Sequence, residues 1–212
     1  RWTPDGKAVL FLSDQSGSSQ VRRVLADGGE PQRLTDLPLD AANLTLSPDG
    51  RHMALTMEVF PDGSSPEATR KRLDQKAQRK STGWIYDRAF VRHWDTWADG
   101  RRSHLFVMSG SGKGRPVDVM GKMDADCPSR PFGGPEEFTF TPDGRELVFT
   151  ARDAGPQEPW STDFNLYRVP IDGSRPPVCL TGENPAWDFH PTFSPDGGTL
   201  AYLAMARPGY EA

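Results

Sequence analysis

The chain of 212 residues is long enough for one large β domain, and its formal charge of −4 gives no bias toward nucleic acid or acidic lipid. Its 21 glycines and 20 prolines are typical of many short strands joined by turns and exclude a helical bundle. No apolar run reaches the length of a membrane span, so we expect neither a membrane nor a nucleic-acid partner. The two cysteines, Cys127 and Cys179, are interpreted as free thiols, with a single disulfide as the alternative.

Four copies of the tripeptide Pro-Asp-Gly each stand ahead of a run of small and apolar residues. Proline presets φ at the second turn position, the aspartate side chain forms a hydrogen bond with its own backbone, and glycine accepts a positive φ. Each copy therefore predicts a β-turn. Alternating apolar residues on both sides of the turns predict strands rather than helices. The prolines of the four copies are Pro4, Pro48, Pro142 and Pro195.

The spacing of these turns predicts a propeller. Two of the three intervals are close to the roughly 40–50 residues of one four-stranded blade, and the third is about twice as long. We therefore predict an all-β fold, a partial β-propeller of about three and a half four-stranded antiparallel blades, with an insertion in the second blade. A closed ring needs typically about four to eight blades, so we expect a fragment whose open strand edges favour homo-oligomers.

The predicted blades follow one another in chain order. Residues 1–36 form a blade that lacks most of its first strand, and residues 43–120 form a second blade with the insertion at 58–103. Residues 136–181 form a complete third blade, and residues 190–212 begin a fourth.

The insertion has two predicted parts. A helix is predicted over residues 65–80, where Ser65 can cap the first turn and Pro66 suits its start. Its excess of basic residues can indicate nucleic acid, but no aromatic residues lie between them, and we interpret the helix as solvated. The second part, residues 83–97, is dense in aromatic and charged residues and follows neither a helical nor a strand period.

Antiparallel blades place their connections on two opposite rims. These four Pro-Asp-Gly turns lie on one rim, here called the turn rim. The insertion and the other long connections lie on the opposite rim, here called the loop rim. Large aromatic side chains among charges mark an interaction surface, although such rings also pack under loops as satellite cores, and both interpretations stay open. The tryptophans predicted on the loop rim are Trp84, Trp94, Trp97, Trp160 and Trp187.

The sequence contains no catalytic motif of its own. It lacks a Gly-x-Ser-x-Gly elbow, a P-loop and a His-Glu-x-x-His zinc motif. His93 and Asp95 stand two apart without a visible third ligand, so we expect a hydrogen-bonded pair and no metal. Glu136 and Glu137 are interpreted as solvated carboxylates at a blade edge. We expect no catalytic residue, no metal and no cofactor in this chain.

Five segments carry a family resemblance that spans essentially the whole chain: 90–97, 131–137, 160–167, 184–188 and 191–212. They resemble the propeller domain of the prolyl oligopeptidase family of serine peptidases, in its bacterial dipeptidyl-peptidase and acylaminoacyl-peptidase branch. The Pro-Asp-Gly repeats alone are shared with TolB-like propellers. The insertion and the Asn-Pro-Ala-Trp-Asp segment at 184–188 are more specific to the family.

The resemblance implies an N-terminal propeller that covers a C-terminal α/β-hydrolase domain with a Ser-Asp-His triad and admits only short peptides to the serine. We expect that hydrolase domain to lie outside this chain, and the fragment alone to be inactive. Its expected partners are short peptides and the hydrolase domain of the parent chain, and the resemblance favours a periplasmic location. The alternative is a TolB-like propeller that acts through protein–protein contacts.

Peptidases that trim N-termini need an anion for the substrate ammonium, because a desolvated cation without a partner is costly. The carboxylates on the loop rim are the candidates for that role. The arginines there either bind an acyl or carboxyl oxygen or pair with these acids. The predicted substrate-facing residues are Arg92, His93, Trp94, Asp95, Trp97, Asp163, Trp187, Asp188, Arg207 and Glu211.

Overall fold

The computed structural model describes residues 1–63, 65–93 and 95–209. Its first sheet contains three antiparallel strands in chain order, β1 (Ala8–Ser13), β2 (Gln20–Leu25) and β3 (Gln32–Arg33). Trp2 adds an isolated antiparallel bridge to Val9.

The second sheet is interrupted by the insertion. Its antiparallel order is β4-β5-β8-β9, built from β4 (Ala42–Leu46), β5 (His52–Val59), β8 (Arg102–Ser109) and β9 (Val117–Asp118). Between β5 and β8 the chain forms helix α1 (Pro66–Ala77) and a small hairpin of β6 (Arg92–His93) and β7 (Thr96–Trp97).

The third sheet contains β10 (Phe138–Phe140), β11 (Glu146–Ala151), β12 (Asn165–Pro170) and β13 (Val178–Cys179), again antiparallel and in chain order. Two 3₁₀ turns, Pro135–Glu137 and Gly155–Trp160, precede β10 and β12. A last sheet pairs β14 (Asp188–Phe193) with β15 (Leu200–Ala204). The predicted all-β propeller architecture is confirmed, and both cysteines are free thiols.

The core lies between neighbouring sheets. Along β8, Leu105 and Val107 pack against the third sheet, and Phe106 and Met108 pack against the first. This alternation follows the period of two of a β-strand, so both faces of the second sheet are buried. Each fully buried side chain of this size contributes about 1.5–3 kcal/mol through the hydrophobic effect.

The four Pro-Asp-Gly turns share one hydrogen-bond pattern. The hydroxyl of the preceding serine or threonine donates to the aspartate Oδ1 over 2.5–2.7 Å, and the same oxygen accepts the N–H that follows the glycine. The hydroxyl bond, and then the backbone bond, lower the pKa of the aspartates, which are Asp5, Asp49, Asp143 and Asp196.

Successive turns pack against one another along the turn rim. A Cβ added at Gly50 would lie 2.8 Å from Pro4 Cδ, and one added at Gly197 would lie 2.8 Å from Pro142 Cγ. Both glycines also have a positive φ, so glycine is required for conformation and for space. The turns therefore lie side by side on one rim, as the sequence predicts.

Helix α1 begins as predicted and ends three residues earlier than the predicted limit. Ser65 Oγ accepts the N–H of Ala68 over 3.2 Å, which satisfies one free donor of the first turn. Pro66 and Thr69 are its buried residues, and the Thr69 hydroxyl accepts the N–H of Phe60 over 3.2 Å. The helix is attached to the end of β5 through these contacts.

In each of the three blades, a buried polar side chain lies near the start of the strand that pairs with the outermost strand. These strands are β2, β8 and β12. Each of these side chains bonds to a residue of the same blade's outermost strand or the segment just after it, over 2.9–3.1 Å. The pairs are Gln20 with Thr35, His104 with Asp118, and Asn165 with Thr181.

The sequence-based interpretation of Glu137 as a solvated carboxylate is wrong. Its side chain is 3% exposed and accepts the N–H and the hydroxyl of Ser129, both over 2.6 Å. Only Glu136 is exposed. Burial raises the pKa of Glu137, and the two bonds from Ser129 offset part of that effect.

Replacing Glu137 by glutamine should preserve stability at neutral pH and change its pH dependence. Because folded Glu137 keeps its proton to a higher pH than unfolded glutamate, its ionisation lowers stability as the pH rises from about 4.3 through the raised pKa. Glutamine accepts from Ser129 N and donates to Ser129 Oγ without a charge. We expect Glu137→Gln to have an equal or higher Tm at pH 7 and a flatter Tm profile above pH 4.3.

The matched control is Glu30→Gln, which changes an exposed glutamate that forms no ion pair among the described residues and should leave the profile as in the wild type. A Glu137→Gln protein that melts earlier at pH 7 and keeps the wild-type pH profile would contradict the assignment.

Candidate functional site

A cleft of about 1240 Å³ opens between the second and third sheets. Three connections form its walls: residues 81–101 of the insertion, residues 124–133 of the connector after β9, and residues 152–164 between β11 and β12. All three were predicted on the loop rim. The cleft therefore lies where the long connections of two blades converge.

One wall carries a continuous stack of rings and cations. Trp84 and Tyr86 lie parallel with centroids 6.2 Å apart, and Tyr86 and Trp97 follow at 6.0 Å. Lys76 Nζ lies 3.5 Å from the Trp84 centroid, and the Arg92 guanidinium lies 5.4 Å from the Trp97 centroid. We call these five residues the cation–π stack.

The cation–π stack has a local origin. Arg92 and Trp97 are cross-strand partners in the β6–β7 hairpin, and Lys76 lies in the last turn of α1. The stack therefore joins the helix to the hairpin across the segment between them. Burial lowers the pKa of Lys76. Trp84 and Trp97 remain 50% and 56% exposed, so their edges are free for further contacts.

The opposite wall and the base of the cleft are charged. Arg102 Nε bonds Asp124 over 2.8 Å, Nη1 bonds Asp126 over 3.0 Å and Glu158 over 2.9 Å, and Nη2 bonds Glu158 over 2.6 Å. We call these four residues the charged floor. Desolvation opposes the charge on Arg102, but the bonds from Glu158 and the other carboxylates outweigh it and raise the pKa of Arg102.

Two further arginines extend the charged floor. Arg130 Nε lies 2.9 Å from Asp126 Oδ1, and its Nη2 bonds Glu58. Arg152 Nη1 donates to the Ser161 carbonyl over 2.6 Å, and its guanidinium lies 4.6 Å from the Phe164 centroid. Sequence reasoning missed all of these arginines. The only signals were the Arg101-Arg102 doublet and the Asp-x-Asp pattern at 124–126.

The hairpin brings part of the predicted set to the cleft. Asp95 and Trp97 line it, and Arg92 covers one face of Trp97. Asp95 is exposed and accepts the Thr96 hydroxyl over 3.3 Å. Within the described residues, no arginine or lysine forms an ion pair with Asp95. Trp94, Glu211 and the side chain of His93 lie outside what the structure describes.

The other predicted residues form a second group behind Phe164, whose ring lines the cleft. Trp187 stacks on Phe164 with centroids 4.2 Å apart, and the Asp188 N–H donates to the Phe164 carbonyl over 2.8 Å. Asp188 is fully buried, so its carboxylate does not face the cleft. Its Oδ1 accepts from Asn184 over 2.7 Å.

Asp163 and Arg207 do not line the cleft either. Asp163 accepts from Asn165 over 2.8 Å. Burial raises the pKa of Asp163, and the hydrogen bond from Asn165 lowers it. The negative charge of Asp188 raises it further. Arg207 is exposed after β15 and, among the described residues, forms no ion pair with the predicted carboxylates. The predicted set is thus split between the hairpin residues at the cleft, Trp187 and Asp188 behind Phe164, and the outlying Asp163 and Arg207.

Over residues 1–63, 65–93 and 95–209, no three His, Cys, Asp or Glu side chains are grouped so that they could hold a metal ion. Of the helices in that part of the chain, none is both long enough and apolar enough to cross a membrane.

Curated relatives align with the whole chain. Dipeptidyl-peptidase 5 of Porphyromonas gingivalis is 29% identical over 218 residues, and that of Porphyromonas endodontalis is 27% identical over 217 residues. Dipeptidyl-peptidase 5 of the fungus Trichophyton schoenleinii is 31% identical over 238 residues. Each match covers 100% of this chain, and the chain spans 30–31% of the length of these relatives. No protein-family model matches the chain.

Solved structures share the fold. An acylaminoacyl peptidase of Pyrococcus horikoshii matches 99% of this chain and 28% of its own, with a TM-score of 0.57 and 15% identity. A TolB-type protein of Agrobacterium tumefaciens matches 97% of this chain and 53% of its own, with a TM-score of 0.51 and 20% identity. At such identities the structures establish the propeller architecture alone. The curated relatives identify this chain as a propeller segment of the prolyl oligopeptidase family.

Proposed function

We propose that this chain is the propeller part of a serine exopeptidase of the dipeptidyl- or acylaminoacyl-peptidase type, and that it gates and helps to bind short peptides. The observation that carries the proposal is the alignment of curated proteins named dipeptidyl-peptidase 5 with the entire chain. Catalysis would belong to a hydrolase domain of the parent chain, since this segment spans only 30–31% of the relatives' length.

The cleft on the loop rim supports a role in peptide binding. Ligand sites combine apolar and aromatic walls with a few placed polar groups, and this cleft has the cation–π stack on one side and the charged floor on the other. Arg102, Arg130 and Arg152 are engaged with carboxylates, whereas Asp95 has no described arginine or lysine partner. Asp95 is therefore our candidate anion for a substrate ammonium.

The deciding experiment uses the full-length protein that contains this chain. A peptidase should be labelled by a serine-directed fluorophosphonate and should release dipeptides or acylated residues from chromogenic substrates. A full-length protein that shows neither activity and acts only by binding other proteins would instead support the TolB-like alternative.

Asp95→Asn should weaken the binding of substrates with a free N-terminus. Removing the charge leaves the substrate ammonium without its counter-ion, and we expect KM to rise about five- to tenfold with kcat little changed. The measurement is steady-state kinetics on a dipeptidyl substrate and on its N-acylated analogue. The acylated analogue carries no ammonium and should be insensitive.

Asp74→Asn is the matched control, because Asp74 lies on helix α1 and pairs with Arg70 away from the hairpin. Wild-type KM and kcat for Asp95→Asn on the dipeptidyl substrate would remove Asp95 from the site.

Trp97→Ala should disorder the insertion wall. The change removes one ring–ring contact and one cation–π contact, each worth about 0.5–1.5 kcal/mol. We expect kcat/KM for short peptides to fall about tenfold. The change in Tm should be small, because the side chain lies on an exposed hairpin outside the core.

Trp160→Ala provides the comparison, since Trp160 is 77% exposed on the loop rim and does not line the cleft. Equal kinetic effects of the two substitutions would show that the cation–π stack has no special part in substrate binding.

A further inference from the structure

We propose that Arg102 is a positioning residue of the cleft, which holds the connector 124–130 and the loop 152–160 at a fixed separation from the start of β8. This inference rests on the proposed peptidase function for its kinetic consequences. Its structural part concerns the positions of the connector 124–130 and the loop 152–160, and it does not depend on that function.

Arg102 joins three separate elements. It is the first residue of β8, and its carboxylate partners lie 22, 24 and 56 residues further along the chain. Asp124 and Asp126 belong to the connector, and Glu158 belongs to the 3₁₀ turn Gly155–Trp160. All four residues line the cleft. A single guanidinium therefore sets how the second sheet, the connector and the third sheet's loop meet at this site.

The geometry of the contacts requires arginine. All three guanidinium nitrogens are used, and Glu158 is bound by both of its oxygens in a fork. A lysine has one nitrogen and cannot reproduce a fork with one acid while bonding two others in its plane. The arrangement thus fixes directions as well as distances between the walls.

Asp126 makes the connector rigid at the same point. Its Oδ1 accepts the Ser103 N–H over 2.8 Å and lies 2.9 Å from Arg130 Nε, while its Oδ2 faces Arg102. Its side chain is 9% exposed, and that of Arg102 is 20% exposed. The connector cannot move away from β8 without breaking several charge-assisted bonds together.

Stability alone does not account for this network. Partly buried ion networks lose much of their Coulombic gain to desolvation, and apolar replacements are often equally stable. What a network of this kind fixes is the relative placement of the groups it connects. Asp124, Asp126 and Glu158 each have a second arginine partner, namely Arg88, Arg130 and Arg152. Among the described residues, however, Arg102 alone pairs with both the connector and the loop, so its loss would release these two segments from each other.

The neighbouring Arg101 offers a matched comparison within the same doublet. Its Nε bonds Asp99 Oδ2 over 2.8 Å, and Asp99 lies two residues away in the same loop. Among the described residues, Arg101 thus forms no ion pair with a second element of the fold. Substituting Arg101 removes the same charge at the adjacent position without releasing the connector 124–130 or the loop 152–160.

The first test is hydrogen–deuterium exchange of the full-length protein. Arg102→Gln should raise exchange in both 124–130 and 152–160, whereas Arg101→Gln should leave both segments as in the wild type. Glu158→Gln, which keeps the side-chain shape, should raise exchange mainly in 152–160. This readout does not depend on any peptidase activity, so it tests the positioning role even if the proposed function fails.

The second test is kinetic and applies once peptidase activity is established. Misplacement of a binding wall by about 1 Å can cost a factor of up to about a hundred, and we expect Arg102→Gln to lower kcat/KM for short peptides at least about tenfold, mainly through KM. Arg102→Lys should recover only part of the loss. The double variant with Glu158→Gln should be no worse than Arg102→Gln alone, because both changes break the same connection.

Two results would overturn the inference. The first is wild-type exchange in both segments for Arg102→Lys and Glu158→Gln, which are mild enough to be examined even if Arg102→Gln does not fold. The second is a wild-type KM for Arg102→Gln in a full-length protein whose peptidase activity is established. Raised exchange in both walls, together with a peptide-specific rise in KM, would establish Arg102 as the residue that sets the cleft's width.

Discussion

The close approach of neighbouring turns is the constraint on which the rest of this propeller segment depends. On the turn rim, glycines lie against prolines and backbone of the adjacent sheet, and a Cβ at Gly112 would lie 2.2 Å from the Leu34 carbonyl oxygen. No extra chain fits between such contacts. The insertion of this chain enters from the opposite rim, where the helix, the hairpin and the cleft are found.

The cation–π stack and the charged floor are held together by different interactions. The cation–π stack is partly solvated and formed between residues close in sequence, so each of its cation–ring contacts contributes about 0.5–1 kcal/mol. The charged floor is more deeply buried, where the effective dielectric constant is lower and Coulombic interactions are stronger.

Sequence patterns predicted the parts of this structure that local chemistry determines. The turns, the strand alternation and the Ser65 cap depend on residues a few positions apart, and they were found as predicted. The aromatic segment of the insertion was also recognised, because its composition is unusual over a short stretch. Glu137 was misinterpreted, since its burial depends on Ser129 and on the fold of the whole connector.

The charged floor shows why the site could not be predicted in full. Arg102 meets Glu158 across 56 residues, and nothing in the local sequence distinguishes it from the exposed arginines nearby. Only the stacking of the second and third sheets brings the two together. In the same way, the sequence placed Asp163 and Asp188 on the correct rim, but it did not reveal that Phe164 and Trp187 separate Asp188 from the cleft.

The buried polar pairs at the outer strands have a consequence for how such similar units fold. Repeated sheets can exchange equivalent strands during folding, which is a common failure of repeat proteins. Here the outermost strands are only two residues long in each blade, and the bond that fixes them differs: an amide with a hydroxyl in the first and third, an imidazole with a carboxylate in the second. A strand taken from the wrong neighbour would leave the buried His104 without its carboxylate partner, at a cost of about 1–3 kcal/mol. The blade that carries the insertion is thereby chemically distinguished from those beside it, and its outer edge is matched to its own sheet.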